Sequence, residues 1–154
     1  MGSPFTITRS QVIAASAERL HEFVDDFHQW RAWSPWEDLD PNLERSYSGP
    51  DSGIGATYSW KGNKRAGSGT MEITGLAPDR VDIHLVFTQP WQADNQVSLV
   101  MTPAQAGGTE VTWTMSGEHT GGVRGLLMKL MPMDKMVGRD FEKGLTRLKG
   151  LAEA

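Results

Sequence analysis

Apolar positions in this chain repeat with two periods, and the switch between them lays out the elements. Residues Phe5 to Ile13 alternate and predict a first strand. Leu20, Phe23, Val24 and Phe27 then recur at i, i+3, i+4 and i+7, which predicts an amphipathic helix over 17–27. Ser16 stands before it as an N-cap, and Glu18 in the first turn suits the helix dipole. A second short helix is expected over His28 to Trp33, ended by Pro35, which disfavours helical geometry at Ser34. The period then falls to two. Glu44–Ser48, Ala56–Lys61, Gly69–Leu76, Arg80–Thr88, Asn95–Thr102 and Thr109–His119 predict strands. Turn signals at Gly49–Gly53, Lys61–Asn63, Pro78–Asp79 and Gly107–Gly108 separate most of them, and Pro90 marks a further turn or strand edge. Connections this short imply antiparallel neighbours.

Each strand has one apolar face. Tyr58 and Trp60 share a side, as do Met71 and Ile73. Val81, Ile83, Leu85 and Phe87 follow, then Val97, Leu99 and Met101, then Val111, Trp113 and Met115. Thr70, Glu72, Asp82, His84, Ser98, Thr112 and Thr114 take the opposite face, so the sheet has a wet side and a dry side that needs a cover. The last third supplies it. At about 100° per residue, Val123, Leu126, Leu127, Leu130, Val137, Phe141, Leu145, Leu148 and Ala152 fall within about 60° of one line. Arg124, Lys129, Lys135, Arg139 and Lys143 fall outside that stripe. This predicts a long C-terminal helix, kinked or restarted at Pro132.

Composition narrows the class. A chain of 154 residues and 17.0 kDa fits one domain over 1–154 and buries roughly 70% of its unfolded surface without a staple. Fifteen basic against nineteen acidic residues give a net charge of −4, which disfavours general nucleic-acid binding. The absence of cysteine removes disulfides, thiolate nucleophiles and Cys-based metal sites. No apolar run approaches a membrane span and no secretory signal is visible, so stable membrane insertion is not expected and the cytoplasm is. The first six residues match a myristoylation pattern in letters, but Pro4 and Phe5 read as the lead-in to the first strand.

A seven-stranded antiparallel sheet closed over a long C-terminal helix is the helix-grip arrangement, an α+β fold. The sequence resembles the START/birch-pollen-allergen-like superfamily (SRPBCC), in its polyketide cyclase/dehydrase and lipid-transport branch. The resemblance is carried by Trp30-x-x-Trp33-Ser34-Pro35-Trp36, by Tyr47-x-Gly49 through Gly53-x-Gly55-x-x-Tyr58-x-Trp60, and by Gly67-Ser68-Gly69. It is carried as well by Asp134-Lys135-Met136-Val137-Gly138-x-Asp140-Phe141-x-x-Gly144-Leu145-x-x-Leu148-Lys149. It implies a curved sheet wrapped around the helix, two short helices between strands 1 and 2, and an apolar cavity. It does not imply one chemistry.

A curved sheet does not lie flat on a straight helix, so space between them is expected. Trp33, Trp36, Tyr58, Trp60, Met71, Phe87, Met101, Trp113, Met115 and Phe141 are the residues expected near it. Aromatic rings and Met supply large, adaptable apolar contacts. Gly138 and Gly144 flank the helix stripe, where each costs about 1 kcal/mol relative to Ala, so either close approach of sheet backbone or aromatic rings or room left for a ligand is expected there. Asp134 sits near the stripe centre of a continuous helix and would then need a partner, for which Arg9 is placed; alternatively it lies in the first turn of a helix restarted at Pro132. Glu37, Asp38 and Asp40 follow the tryptophans as a turn-rich acidic run.

The histidines His21, His28, His84 and His119 form no metal-ligand spacing, and no nucleophile elbow or phosphate loop is present, so neither metal nor cofactor is expected. The leading expectation is a binding module for a small or medium hydrophobic molecule: a lipid, a polyketide or an aromatic metabolite. The alternative is a cyclase or dehydratase using the same cavity, with Asp134, Glu37, Tyr58 and His119 as candidate proton-transfer groups. A protein-interaction domain is the third reading, and the pattern does not set the oligomeric state.

Overall fold

The computed structural model describes residues 3–36, 40–63, 66–89, 92–119 and 133–154. The chain opens with β1 (Ser3–Ile13), α1 (Ala17–Val24) and α2 (Phe27–Trp30). Then come β2 (Glu44–Ser48), β3 (Thr57–Lys61), β4 (Ser68–Ala77), β5 (Arg80–Gln89), β6 (Ala93–Pro103) and β7 (Thr109–His119). The helix α3 (Met133–Glu153) ends the chain.

The seven strands form one curved antiparallel sheet in the order β1-β7-β6-β5-β4-β3-β2. Every neighbour pair but one is a sequential hairpin or short connection. The exception joins β1 to β7, with Ile7 opposite Met115 and Arg9 opposite Trp113. Two register shifts between β4 and β5, at Ser68/Gly69 and Ile73/Gly75, add local twist and bending. The wet face carries hydroxyl pairs across strands: Thr8 with Thr114, Ser10 with Thr112, Ser59 with Thr70 and Ser68 with Thr88. His84 lies among them, half-exposed and 2.8 Å from Asp94. On the dry face Ile73, Val81, Ile83, Leu99, Val111 and Trp113 are buried, as alternation requires.

Two helix boundaries differ from the periodic reading. The stripe through Phe27 does not belong to one helix: α1 stops at Val24 and Phe27 opens α2. Asp26 is the reason. Its backbone is extended (φ −132°, ψ 109°) and its carboxylate accepts from the His28 amide, so it caps a new helix. That helix closes at Trp30, not Trp33, and residues 31–33 form a turn. The Ser16 cap is as expected, with its hydroxyl accepting from the Arg19 amide at 3.1 Å.

The helix α3 lays Phe141, Leu145, Leu148 and Ala152 into the core and leaves Lys135, Arg139 and Lys143 exposed. Val123, Leu126, Leu127 and Leu130, with Arg124, Lys129 and the break at Pro132, lie outside the described residues. Phe141 stacks on Trp113, with centroids 4.2 Å apart and planes 8° from parallel. Gly144 allows that approach: a Cβ there would stand 2.9 Å from the Trp113 ring and 3.0 Å from Pro35. Gly138 faces the Arg9 guanidinium instead, which forms a 2.8 Å ion pair with Glu142. At the far end, the Glu153 carboxylate accepts from the Ala14 amide at 2.8 Å and pairs with Lys149. The amide bond first, then the lysine, hold its carboxyl below the usual glutamate range.

Candidate functional site

The dry face is not covered evenly. Over β7 and β1 the cover is α3, and side chains fill the space. Over β3, β4 and β5 the described cover is Trp30, Ser34, Trp36 and Leu43, and a cavity of about 190 Å³ remains. Its floor is the apolar face of the sheet: Tyr58 and Trp60 from β3, Met71 from β4, Leu85 and Phe87 from β5, and Met115 from β7. Trp30, Ser34, Trp36 and Leu43 form the roof, and Ala66 and Val137 close the sides.

The roof is built by tryptophans reaching for backbone carbonyls. The Trp30 indole donates to Val24 O and the Trp33 indole to Phe23 O, each at 2.9 Å. Those carbonyls lie in the last turn of α1, where intrahelical donors run out. The chain then crosses to α3. The Trp36 indole donates to Asp140 Oδ2 at 3.2 Å, Arg147 donates to Ser34 O at 3.1 Å, and Pro35 packs against Gly144. Asp140, Gly144 and Arg147 lie at i, i+4 and i+7, one line on the helix, and together hold the Trp33-Ser34-Pro35-Trp36 segment. On the floor, the Trp60 indole donates to Ala66 O at 2.9 Å, and Phe87 stands edge-on to its ring at 5.6 Å.

Six of the ten residues expected around the space line it: Trp36, Tyr58, Trp60, Met71, Phe87 and Met115. Trp33, Met101, Trp113 and Phe141 do not. Trp33, Trp113 and Phe141 are at most 1% exposed and pack on one another beside the cavity, and Met101 is buried further along β6. Six lining residues were not among those expected: Trp30, Ser34, Leu43, Ala66, Leu85 and Val137. Leu85 was legible, because it alternates with Phe87 and pairs in register with Met71. Val137 sits on the helix stripe. Ser34, Leu43 and Ala66 come from loops, which carry no period to read.

Of the proton-transfer candidates, Tyr58 lines the cavity, its ring between those of Phe27, Tyr47 and Trp60. Glu37 lies outside the described residues, as do the side chains of Asp134 and His119, and with Asp134 its pairing to Arg9. Of the acidic run, Asp40 is a structural tie: its carboxylate accepts from the Asn42 and Asn63 amides at 2.8 Å each. Among the described residues no group of three or more His, Asp or Glu could hold a metal ion. Among them, too, no helix is long and apolar enough to cross a membrane.

The family model for polyketide cyclase / dehydrase and lipid transport matches residues 4–153. No curated protein matches the sequence. Among solved structures, a protein of unknown function from Staphylococcus aureus aligns with a TM-score of 0.72 at 12% identity, over 99% of this chain and 95% of its own. A protein of Chromobacterium violaceum aligns with a TM-score of 0.66 at 15% identity, over 97% and 98%. Norcoclaurine synthase from Thalictrum flavum, solved in complex with dopamine and hydroxybenzaldehyde, aligns with a TM-score of 0.68 at 8% identity, over 97% and 87%. Likeness at these identities establishes the shared fold.

Proposed function

Because the chain belongs to the polyketide cyclase / dehydrase and lipid transport family, we propose that it binds a small hydrophobic molecule in the cavity over β3–β5. The observation that carries this reading is a space of about 190 Å³ walled by aromatic rings and methionines and left unfilled by a core that is tightly packed next to it. Protein interiors rarely leave voids of this size, because each forfeits dispersion contacts. The volume bounds the guest. An apolar cavity of about 150 Å³ takes up benzene, so this one suits a single substituted ring or a short acyl chain rather than a diacyl lipid.

Among the described residues, Trp30, Ser34, Trp36 and Leu43 lie over the cavity. Among the described side chains, α3 contributes Val137 alone. Proton-transfer chemistry in the same space would begin from Tyr58, the described candidate in the lining, whereas binding requires no ionisable group. A thermal-shift panel of one-ring aromatics and short acyl compounds tests the reading, together with solvent extraction of the purified protein. A ligand at one hundred times its Kd adds about 2.7 kcal/mol, which for a chain of this length raises Tm by about 5–10 °C. No shift across the panel and no extracted compound would overturn it.

A further inference from the structure

Among the described residues of the cavity wall, Ser34 carries a polar group that the protein leaves half-used. Ser34 is 5% exposed and sits in the lining. Its amide donates to Trp30 O at 2.7 Å and its carbonyl accepts from Arg147, so its backbone is fixed. Its hydroxyl accepts from the Trp36 amide at 3.4 Å, and among the described residues its own proton goes to no acceptor. The indole N–H groups in the lining, by contrast, are all donated: Trp30 to Val24, Trp36 to Asp140 and Trp60 to Ala66. A buried donor without an acceptor is costly, and a guest oxygen relieves that cost.

We propose that the Ser34 hydroxyl is the donor that recognises the guest, and that the guest is a neutral one-ring aromatic molecule bearing a carbonyl oxygen. The inference rests on the binding reading above and deepens it. Size admits one ring with a short substituent. Trp60 and Phe87, already edge-to-face, and the sulfurs of Met71 and Met115 favour a flat π-system over a flexible chain. Charge sets the third condition. The lining holds no Lys, Arg or His among the described residues, so a carboxylate guest would be buried without a counter-charge. A neutral carbonyl accepts one hydrogen bond and needs no cation.

The test uses two probes of one shape, acetophenone and α-methylstyrene, in which a CH₂ replaces the carbonyl oxygen. Their affinities are measured by calorimetry for the native protein, Ser34→Ala and Ser34→Thr. The native protein should prefer acetophenone. Ser34→Ala should weaken acetophenone about fivefold and leave α-methylstyrene within about twofold, while Ser34→Thr, which keeps the donor, should retain the preference. If both probes bind and Ser34→Ala weakens neither selectively, the donor role falls while the binding reading stands. If neither binds the native protein, both fall. Should Ser34→Ala not fold, the infrared C=O stretch of acetophenone bound to the native protein decides. A band lowered to its position in an alcohol supports the donor, and a band no lower than its position in toluene, an aromatic solvent without a donor, overturns it.

Discussion

The two halves of the dry face are made from the same kinds of residue and end in opposite states. Over β7 and β1, Trp33, Trp113 and Phe141 form a solid aromatic block under α3. Over β3 to β5, Trp36, Trp60 and Phe87 surround a space. What differs is the roof. A regular helix presents an unbroken stripe that meets the sheet side chain for side chain, and Gly144 lets it come within ring contact of Trp113. The segment between α2 and β2 has no stripe. Its described residues are held by the Trp33 indole-to-carbonyl bond and by three points on α3, and they leave a space over the floor. Aromatic content alone therefore does not mark a binding site; the regularity of the covering element decides between packing and room.

Truncation separates the halves most sharply. Phe141→Ala removes the ring stacked on Trp113 from a fully buried position and should cost about 3–5 kcal/mol in denaturant unfolding. Trp60→Ala, at a ring that already faces open space, should cost less than half of that and change ligand affinity instead. Equal losses would erase the distinction between block and cavity. Filling the space is the converse. Met71→Trp should abolish binding of one-ring probes while leaving stability within about 1.5 kcal/mol, because the added volume enters room that exists. A loss of about 3 kcal/mol or more would mean that no such room was there.

The two helix glycines sharpen the contrast on a smaller scale. Both sit close to a neighbour, but Gly144 faces rigid rings and Gly138 the end of a flexible arginine. Alanine gains about 1 kcal/mol of helix propensity at either site. At Gly144 overpacking should outweigh it, for a net loss of about 1 kcal/mol, whereas Gly138→Ala should be near neutral as Arg9 swings aside. The smallest effect concerns Glu153. Its carboxyl is held below the usual range in the folded state, so the stability it adds is present above the unfolded glutamate pKa and is lost as pH falls through the folded one. The Tm of the native protein should drop as pH falls below about 4.3, and Glu153→Gln should flatten that part of the profile. An unchanged slope would contradict the Ala14 tie.

The strands and the described part of the C-terminal stripe, from Val137 on, were legible because each has a single period imposed by one buried face. Thr109–His119 and the Phe141–Leu145–Leu148 line were readable for that reason. The break at Asp26 was not, since the apolar spacing runs straight through a capping aspartate whose effect is local. The cavity was legible in most of its floor and, in the roof, at Trp36 alone. Tyr58, Trp60, Met71 and Phe87 sit on alternating positions, but so do Met101 and Trp113, which are packed. Alternation gives the face and not the distance to whatever covers it. Ser34, Leu43 and Ala66 enter the lining through loop conformation, which depends on tertiary hydrogen bonds that the sequence does not spell out.

Xenon pressurisation of crystals of the unliganded protein tests the central claim most directly, because xenon enters apolar cavities without needing a polar partner. The account predicts xenon between Trp60, Met71, Leu85, Phe87 and Met115, and none between Trp33, Trp113 and Phe141. A structure in which the β3–β5 space takes up no xenon, with side chains closed across it, would contradict it.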